Sequence, residues 1–491
     1  MHGHTRRTLD SGAIESRSAR PYDRHGSSVT GLSEPLSGSG CEAAGRGRDH
    51  RLPPMKPTIR RLADLTEDER CRLMRRSLDS IFDPELWASV RSLYEDVAAA
   101  GDGALCAALQ RFDGVDAKPG DLRVSDAELD EAGGKLAREV RDALDSMIGA
   151  LRSYNERVLR DTDWREEIAP GVIVGERSRP IASAAIYVPC GKGSFPSVMA
   201  HLGVPAAVAG VPQLVVLCPP LRATGRVDPA YLYIAAQLGL REVWRVNGPS
   251  GIAAAVLGTA SIPRVRKVVG PGSPAVTVAQ LLGAEHGVTT NMLQGPSESL
   301  ILADESADPG LLAADLLTEA EHGSDSAATL VTWSGALATA VAAAVEPRLA
   351  ALPPSQRDHA AAALSDLGGI LVCRDEAEAC AFANTYAVEH LQIATADPEA
   401  TLGRIDYAAE ILIGQHTPMA AANFTIGVPN TLPSGGYAAV SSGVTARTFL
   451  ATSSTAELSA AGLAAVGPAA RVIAEYENFP AHAQALRERG L

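Results

Sequence analysis

The stretch QLVVLCPP (213–220), PAYLYIAAQLG (229–239), EVWRV (242–246), GIAAAVLG (251–258), VRKVVGPG (265–272) alternates short β-branched runs with Ala- and Leu-rich ones. Brief Val- and Leu-rich runs bounded by Pro and Gly suit buried strands, and the Ala-rich runs suit the helices that join them. A β-α-β-α order of this kind implies a mostly parallel sheet covered by helices. The same texture restarts after 298 with SLILADE, GLLAADLLTEAEHG, AATLVTWS, GALATAVAAAVEPRLAAL, GGILVCRD, HLQIAT and AEILIG. We therefore expect an α/β protein with two Rossmann-like parallel-sheet domains. The last fifty residues, ending AELSAAGLAAVGPAARVIAEYENFPAHAQALRERGL, read as helices only, a small C-terminal helical domain.

Outside this frame, residues 1–54 are rich in Ser, Gly, Arg, His and Pro without periodicity, and read as a disordered tail. Met55 is a candidate initiator, and 55–80 reads as an N-terminal helical segment that starts at Thr66-Glu67-Asp68-Glu69. The first Rossmann-like domain is drawn as 81–186 with 298–440, the second, nucleotide-side domain as 187–297, and the helical appendage as 441–491.

Composition excludes several classes. The 491 residues carry a net charge of -14, which speaks against nucleic acid as a partner. No stretch approaches the roughly 18 apolar residues of a membrane span. The seven cysteines are scattered without a C-x-x-C pair, so neither a disulfide framework nor a thiolate zinc cage is expected. The polar N-terminus lacks the apolar segment of a secretory signal, and a cytoplasmic location is the expectation.

Three short signals bear on chemistry. Glu319 and His322 stand three apart at the end of a helix and share a face, so they could present a carboxylate and an imidazole to one metal ion; a solvated helix end is the alternative. Glu389-His390 opens HLQIAT and puts an acid and an imidazole at a strand entrance, with a surface pair as the alternative. His482, five residues after Glu477, lies on the C-terminal appendage and reads by itself as a helix-surface histidine. Glycine turns at 189–193, 270–273 and 294–297 suit anionic ligands, but no G-x-G-x-x-G with a following ribose acid is present, nor a P-loop, G-x-S-x-G or H-E-x-x-H.

In order along the chain, IYVPCGKGSFPSVMAHLGVPAAVAGV, GTASIPRVRKVVGPG, GPSESLILADESADP, AADLLTEAEHGSDSAATLVT, VEHLQI, LPSGGYAAVSSGV and AHAQALR resemble the histidinol dehydrogenase family from about residue 60 to the C-terminus. The resemblance implies an intertwined homodimer in which the C-terminal domain is exchanged, so that His482 reaches the other subunit. It implies oxidation of a primary alcohol through a bound aldehyde to a carboxylate, with two NAD consumed in turn and one zinc ion per subunit. Glu389 and His390 match the family's acid–base pair, the imidazole taking the alcohol proton and the carboxylate activating water.

Where the family supplies zinc with Gln, His, Asp and His, the matching positions are Glu319, His322, Asn423 and His482. Amide and carboxylate have traded places, which leaves the summed ligand charge unchanged. Ser297 and Glu477 match substrate-contacting positions, as do Glu319, His322, His390, Asn423 and His482. Met419 and Asn430 replace a pocket Glu and His, and a site built to pair polar groups discriminates strongly when they are lost. Tyr187 matches a cofactor tyrosine, whereas Ser250 and Ser273 replace a Gln and an Asn that touch NAD; Lys192 adds a cation that could meet a cofactor phosphate or an anionic substrate group, with a solvated loop lysine as the alternative. The resemblance thus leads to a zinc-dependent, NAD-linked dehydrogenase of a small polar primary alcohol other than histidinol. A divergent histidinol dehydrogenase making L-histidine, or a non-redox small-molecule binder, remain as alternatives.

Overall fold

The computed structural model describes residues 56–76, 80–190 and 193–491. The tail expected at 1–54 and Lys192 lie outside the described residues. The strands in chain order are β1 (Ile59–Arg61), β2 (Trp164–Ala169), β3 (Val172–Pro180), β4 (Ser183–Tyr187), β5 (Gln213–Cys218), β6 (Val243–Arg245) and β7 (Lys267–Val269). They continue with β8 (Glu298–Ala303), β9 (Ala327–Thr332), β10 (Gly369–Val372), β11 (His390–Ala394), β12 (Glu410–Ile413) and β13 (Leu450–Leu458).

Two parallel sheets result, as the β-α alternation implies. The larger has the order β1-β10-β9-β8-β11-β12, and the smaller β6-β5-β4-β7. Strands β4, β8, β9 and β11 are buried along their whole length, which is why they read as apolar runs rather than as alternation. Helix Pro309–Ala320 illustrates how sequence sets the crossovers. The Asp308 carboxylate accepts from the Gly310 and Leu311 amides, Pro309 occupies the first turn, and Leu312, Ala313, Leu316 and Leu317 pack on the larger sheet. Running back along the strands, this helix delivers Glu319 to their N-terminal edge.

Several expected boundaries are corrected. Helices Pro84–Ala100 and Arg138–Leu159 do not serve the first domain: Val90, Tyr94 and Val97 pack with Ala185, Val215 and Val268, and Leu144, Met147 and Leu151 pack with Ile186 and Val216. Both therefore sandwich the smaller sheet. That sheet also claims β4, so its domain reaches back before residue 187. The segment at 55–80 is no separate helical piece, because β1 pairs with β10 and Leu62, Leu65 and Leu73 join the larger sheet's core. The C-terminal region is not helices only. Strand β13 pairs antiparallel with β3, which pairs with β2, before helices Ala460–Tyr476 and Pro480–Arg487. The SSTAE run at 453–457 is exposed nearly throughout, as in a solvated ribbon, and the Ala-rich residues that follow mask it.

Val472, Ile473, Tyr476 and Phe479 of this region are exposed, Tyr476 to 92%. No helix among the described residues is long and apolar enough to cross a membrane.

Gly270, directly after β7, has φ +142°, and a Cβ there would stand 2.1 Å from the Tyr187 carbonyl oxygen. Gly270→Ala therefore cannot be accommodated without parting β7 from β4. We expect it to destabilise the protein by at least about 1–3 kcal/mol, seen as a lowered thermal midpoint, whereas an unchanged midpoint would contradict this packing.

Candidate active site

A cavity of about 810 Å³ opens between the two sheets. From the smaller sheet it receives Pro189, Ser194 and Pro271, which follow the C-terminal ends of β4 and β7. From the larger sheet it receives Ser297, Glu389 and His390 at the N-terminal ends of β8 and β11, and Glu319 and His322 from the end of helix Pro309–Ala320. Asn423, in a single π turn at Ala422–Ile426, and Asn430 complete the polar lining, while Leu144, Met147, Phe424 and Leu432 form apolar walls. Such one-turn irregularities recur where a side chain has to be re-aimed.

Glu389 is held from behind. Its Oε2 accepts the Glu298 amide at 3.0 Å, and its Oε1 stands 3.9 Å from His390 Nε2. Burial pushes its pKa up to about 8 against the pull of His390. His390 lies opposite Ser299 on one side and Glu410 on the other, and its Nδ1 meets Glu410 Oε2 at 2.6 Å. Burial opposes protonation of this ring, but the Glu410 hydrogen bond and the charges of Glu319 and Glu389 outweigh it and raise the pKa to about 10.

Glu319 is buried, and burial alone would protonate it. His322 Nδ1 at 3.1 Å, the charge of His390 and the Asn423 amide at 2.9 Å hold it ionised, at about 2. The same carboxylate overcomes desolvation of His322 and lifts that ring to about 8. Asn430 donates in turn to Asn423 Oδ1, and His201 Nε2 meets the Asn423 carbonyl at 3.0 Å.

Among the described residues no three His, Cys, Asp or Glu side chains group in a way that could hold a metal ion. Glu319 touches both the His322 imidazole and the Asn423 amide, which makes one carboxylate, one imidazole and one amide neighbours. This N/O set suits zinc, which takes carboxylate oxygen and imidazole nitrogen readily.

The structure thus gathers Ser297, Glu319, His322, Glu389, His390 and Asn423 in one cavity. It does not bring Glu477 or His482 there: both are exposed, and the His482 ring lies 5.2 Å from Phe479 on the C-terminal hairpin. Met419 is also absent from the lining. It is fully buried in the helical layer of the larger sheet, so it fills core rather than touching a ligand, a correction to the expectation that it sits in the pocket. Tyr187 ends β4, and Ser250 and Ser273 follow β6 and β7, all at the C-terminal edge of the smaller sheet, where open α/β sheets bind ligands. Tyr187 donates to Asn247 Oδ1 at 3.2 Å, and Asn247 donates to Asp113 at 2.6 Å. Ser250 is buried beside a second hollow of about 360 Å³ walled by helix Pro84–Ala100 and the segment after it.

Glu410, Glu298, Arg76, His201, Asn247 and Asp113 escaped the sequence reading. Arg76 pairs with Glu298 in the interior, bonds the Tyr386 carbonyl and lies 3.7 Å over the Tyr386 ring. A lone Glu opening each of two apolar strands, ESLILA and EILI, was the available signal.

The histidinol dehydrogenase family model matches residues 78–490. The chain is 40% identical to a histidinol dehydrogenase of Synechocystis sp. over 431 residues, covering 88% of this chain and 98% of that one. It is 41% identical to a histidinol dehydrogenase homolog of Cereibacter sphaeroides over 429 residues, covering 87% and 96%. The crystal structure of histidinol dehydrogenase from Elizabethkingia anophelis superposes with a TM-score of 0.81 at 29% identity, covering 90% of this chain and 99% of that one. The fold is that of an oxidoreductase family with Rossmann-like sheets. The chain belongs to the histidinol dehydrogenase family, an NAD-dependent family for which zinc is the expected metal.

Two outcomes follow. The base form of Glu389 is its carboxylate, so a step in which it accepts a proton accelerates as pH rises through about 8 and then levels off. A pH–rate profile shows that limb and Glu389→Gln loses it; a profile without the limb contradicts the assignment. Arg76→Met strands the buried Glu298 carboxylate, and denaturant unfolding should register a loss of roughly 3–5 kcal/mol, most of it recovered by the double change Arg76→Met with Glu298→Leu.

Proposed function

We infer that this chain is a zinc- and NAD-dependent dehydrogenase that oxidises a small polar primary alcohol other than histidinol, by way of an aldehyde and on to the acid. The observation that carries the reading is a cavity that keeps the Glu389 and His390 pair while Asn430 stands where the family places a pocket His, and Met419, in place of a pocket Glu, is withdrawn into the core. Loss of both polar readers disfavours an amino-imidazole alcohol, because a substrate amine or ring nitrogen would then be desolvated without its partner.

Glu319, His322 and Asn423 would hold the zinc, with His482 of a second subunit as the fourth donor; when bound, zinc supplies a Lewis acid that polarises the alcohol or carbonyl oxygen. The chain's own groups do the rest. His390 exchanges a proton with the substrate oxygen at Nε2. Glu389, with Oε2 tied to the Glu298 amide, is left with Oε1 to take a proton from water in the second oxidation. The apolar walls of Leu144, Met147 and Leu432 keep bulk water from the aldehyde. NAD binds along the C-terminal edge of the smaller sheet at Tyr187, Ser250 and Ser273.

We also assign a homodimer that shares its sites. Glu477 and His482 stand outside their own cavity, and Val472, Ile473, Tyr476 and Phe479 on the same hairpin offer apolar surface for a second copy. A second reading, a divergent histidinol dehydrogenase, is favoured by the 40% identity to the Synechocystis enzyme along 98% of its length.

The deciding measurement is NADH formation by zinc-loaded protein with L-histidinol and with a panel of other amino and hydroxy alcohols. Turnover confined to other alcohols supports the first reading, and robust histidinol turnover replaces it with the second. Subunit sharing has its own test. Glu389→Gln and His482→Asn are each inactive alone, and refolding an equal mixture restores about one quarter of wild-type activity, because half the dimers carry one intact site. No recovery would mean that each chain builds its site unaided.

A further inference from the structure

Burying a carboxylate costs several kcal/mol unless its charge is answered, so a buried Glu on an apolar strand calls for an explanation. Glu410 opens β12, where it is followed by Ile411, Leu412 and Ile413, and its side chain is 4% exposed. Parallel pairing of β11 with β12 sets it directly opposite His390, on a neighbouring strand about 4.8 Å away, so the two side chains meet on one face. Glu410 Oε2 lies 2.6 Å from His390 Nδ1, while Oε1 is buried and has no hydrogen-bond partner among the described residues. The hydrogen bond this carboxylate makes is thus spent on a ring that lines the cavity. Core packing alone would be served at least as well by an apolar residue of similar volume.

We propose that Glu410 is a positioning residue for His390: by accepting a hydrogen bond from Nδ1–H it fixes the tautomer and rotation of the ring, so that Nε2 is the nitrogen offered to the substrate oxygen. A free imidazole can carry its proton on either nitrogen and can turn about χ2, and each alternative withdraws the reactive nitrogen. A carboxylate on the far nitrogen removes both freedoms and strengthens Nε2 as a base, the role that outer partners play behind ligating and catalytic histidines. The other ionisable groups facing the ring are Glu298 from β8, Glu319 and His322 from helix Pro309–Ala320, His201 from helix Pro196–Ala209, and Glu389 beside it. Of these, Glu389 has an ion-pair approach to the ring, at 3.9 Å and to Nε2, which leaves Nδ1 to Glu410.

The proposal rests on the dehydrogenase reading for one of its two readouts, and the other is independent of any substrate. Zinc-loaded protein with labelled histidine is followed by nitrogen NMR, the His390 ring signals being assigned by their loss in His390→Asn. Wild type should show Nδ1 protonated throughout the neutral range, and Glu410→Gln, which keeps the shape and removes the charge, should lower the midpoint of that ring by about one unit or more.

With an alcohol that wild type turns over, Glu410→Gln should lose roughly 10–100-fold in kcat with little change in KM, and Glu410→Asp should recover part of it. Unaltered ring protonation and kcat in a folded Glu410→Gln would show that Glu410 merely fills space and would overturn the proposal. Should that variant fail to fold, Glu410→Asp decides by the same ring signals, since the shortened side chain withdraws the carboxylate without uncharging it. Absence of turnover in wild type with every alcohol tried counts against the dehydrogenase reading and leaves the ring signals to judge Glu410.

Discussion

Everything at the site depends on the register of β11. This strand is hydrogen-bonded on both sides, to β8 and to β12, and its residues are buried throughout. Because side chains alternate faces along a strand, a slip of one residue would move His390 to the opposite face of the sheet and put Leu391 in its place. Two full parallel ladders and the apolar side chains of Leu391 and Ile393 forbid that slip. The turn before the strand is tense as well, since Ala387 has φ +45°, a conformation that non-glycine residues rarely hold, and it precedes Glu389 by two residues. The sheet keeps this short connection in place and so aims the acid and the imidazole together.

Around that strand the protein assembles a charge cluster that would be unstable in fragments. Glu298, Glu319, Glu389 and Glu410 are carboxylates set against Arg76, His322 and His390. Each member alone would neutralise or draw in water. Together they hold Glu319 strongly ionised, leave Glu389 poised near neutrality and make His390 basic. Groups whose environments drive their pKa values apart are how one cavity supplies both an acid and a base. The Arg76 and Glu298 pair, although remote from the cavity surface, matters because the amide of Glu298 is what grips Glu389.

The cavity joins opposite edges of two sheets. Ligand sites in parallel sheets normally lie at the C-terminal edge, and the smaller sheet lines the cavity from that edge with Pro189 and Pro271. The larger sheet contributes from its N-terminal edge instead, through Glu389 and His390. Residues that follow β4 and β7 thus face the Glu389 and His390 pair across one space.

Local pattern reached a long way into this protein. Alternating apolar runs revealed both parallel sheets, the i, i+3 spacing put Glu319 and His322 on one helix face, and the ordered motifs around Glu319, Glu389 and His482 identified the family. These are properties of neighbours in the chain, or of residue order, and periodicity records them directly. Three things lay beyond it. Amphipathic periodicity tells which face of helices Pro84–Ala100 and Arg138–Leu159 is apolar but not which sheet covers it, so both were placed with the wrong one. Met419 and Asn430 stand eleven residues apart in one loop, yet one enters the core and the other the cavity, a division made by packing. Glu410 and His390 are twenty residues apart, and Arg76 and Glu298 more than two hundred. The sequence by itself determined which elements form and which residues are fit for chemistry; the tertiary structure alone decided which of them meet, because strand register and helix docking are set by long-range burial that no local spacing encodes.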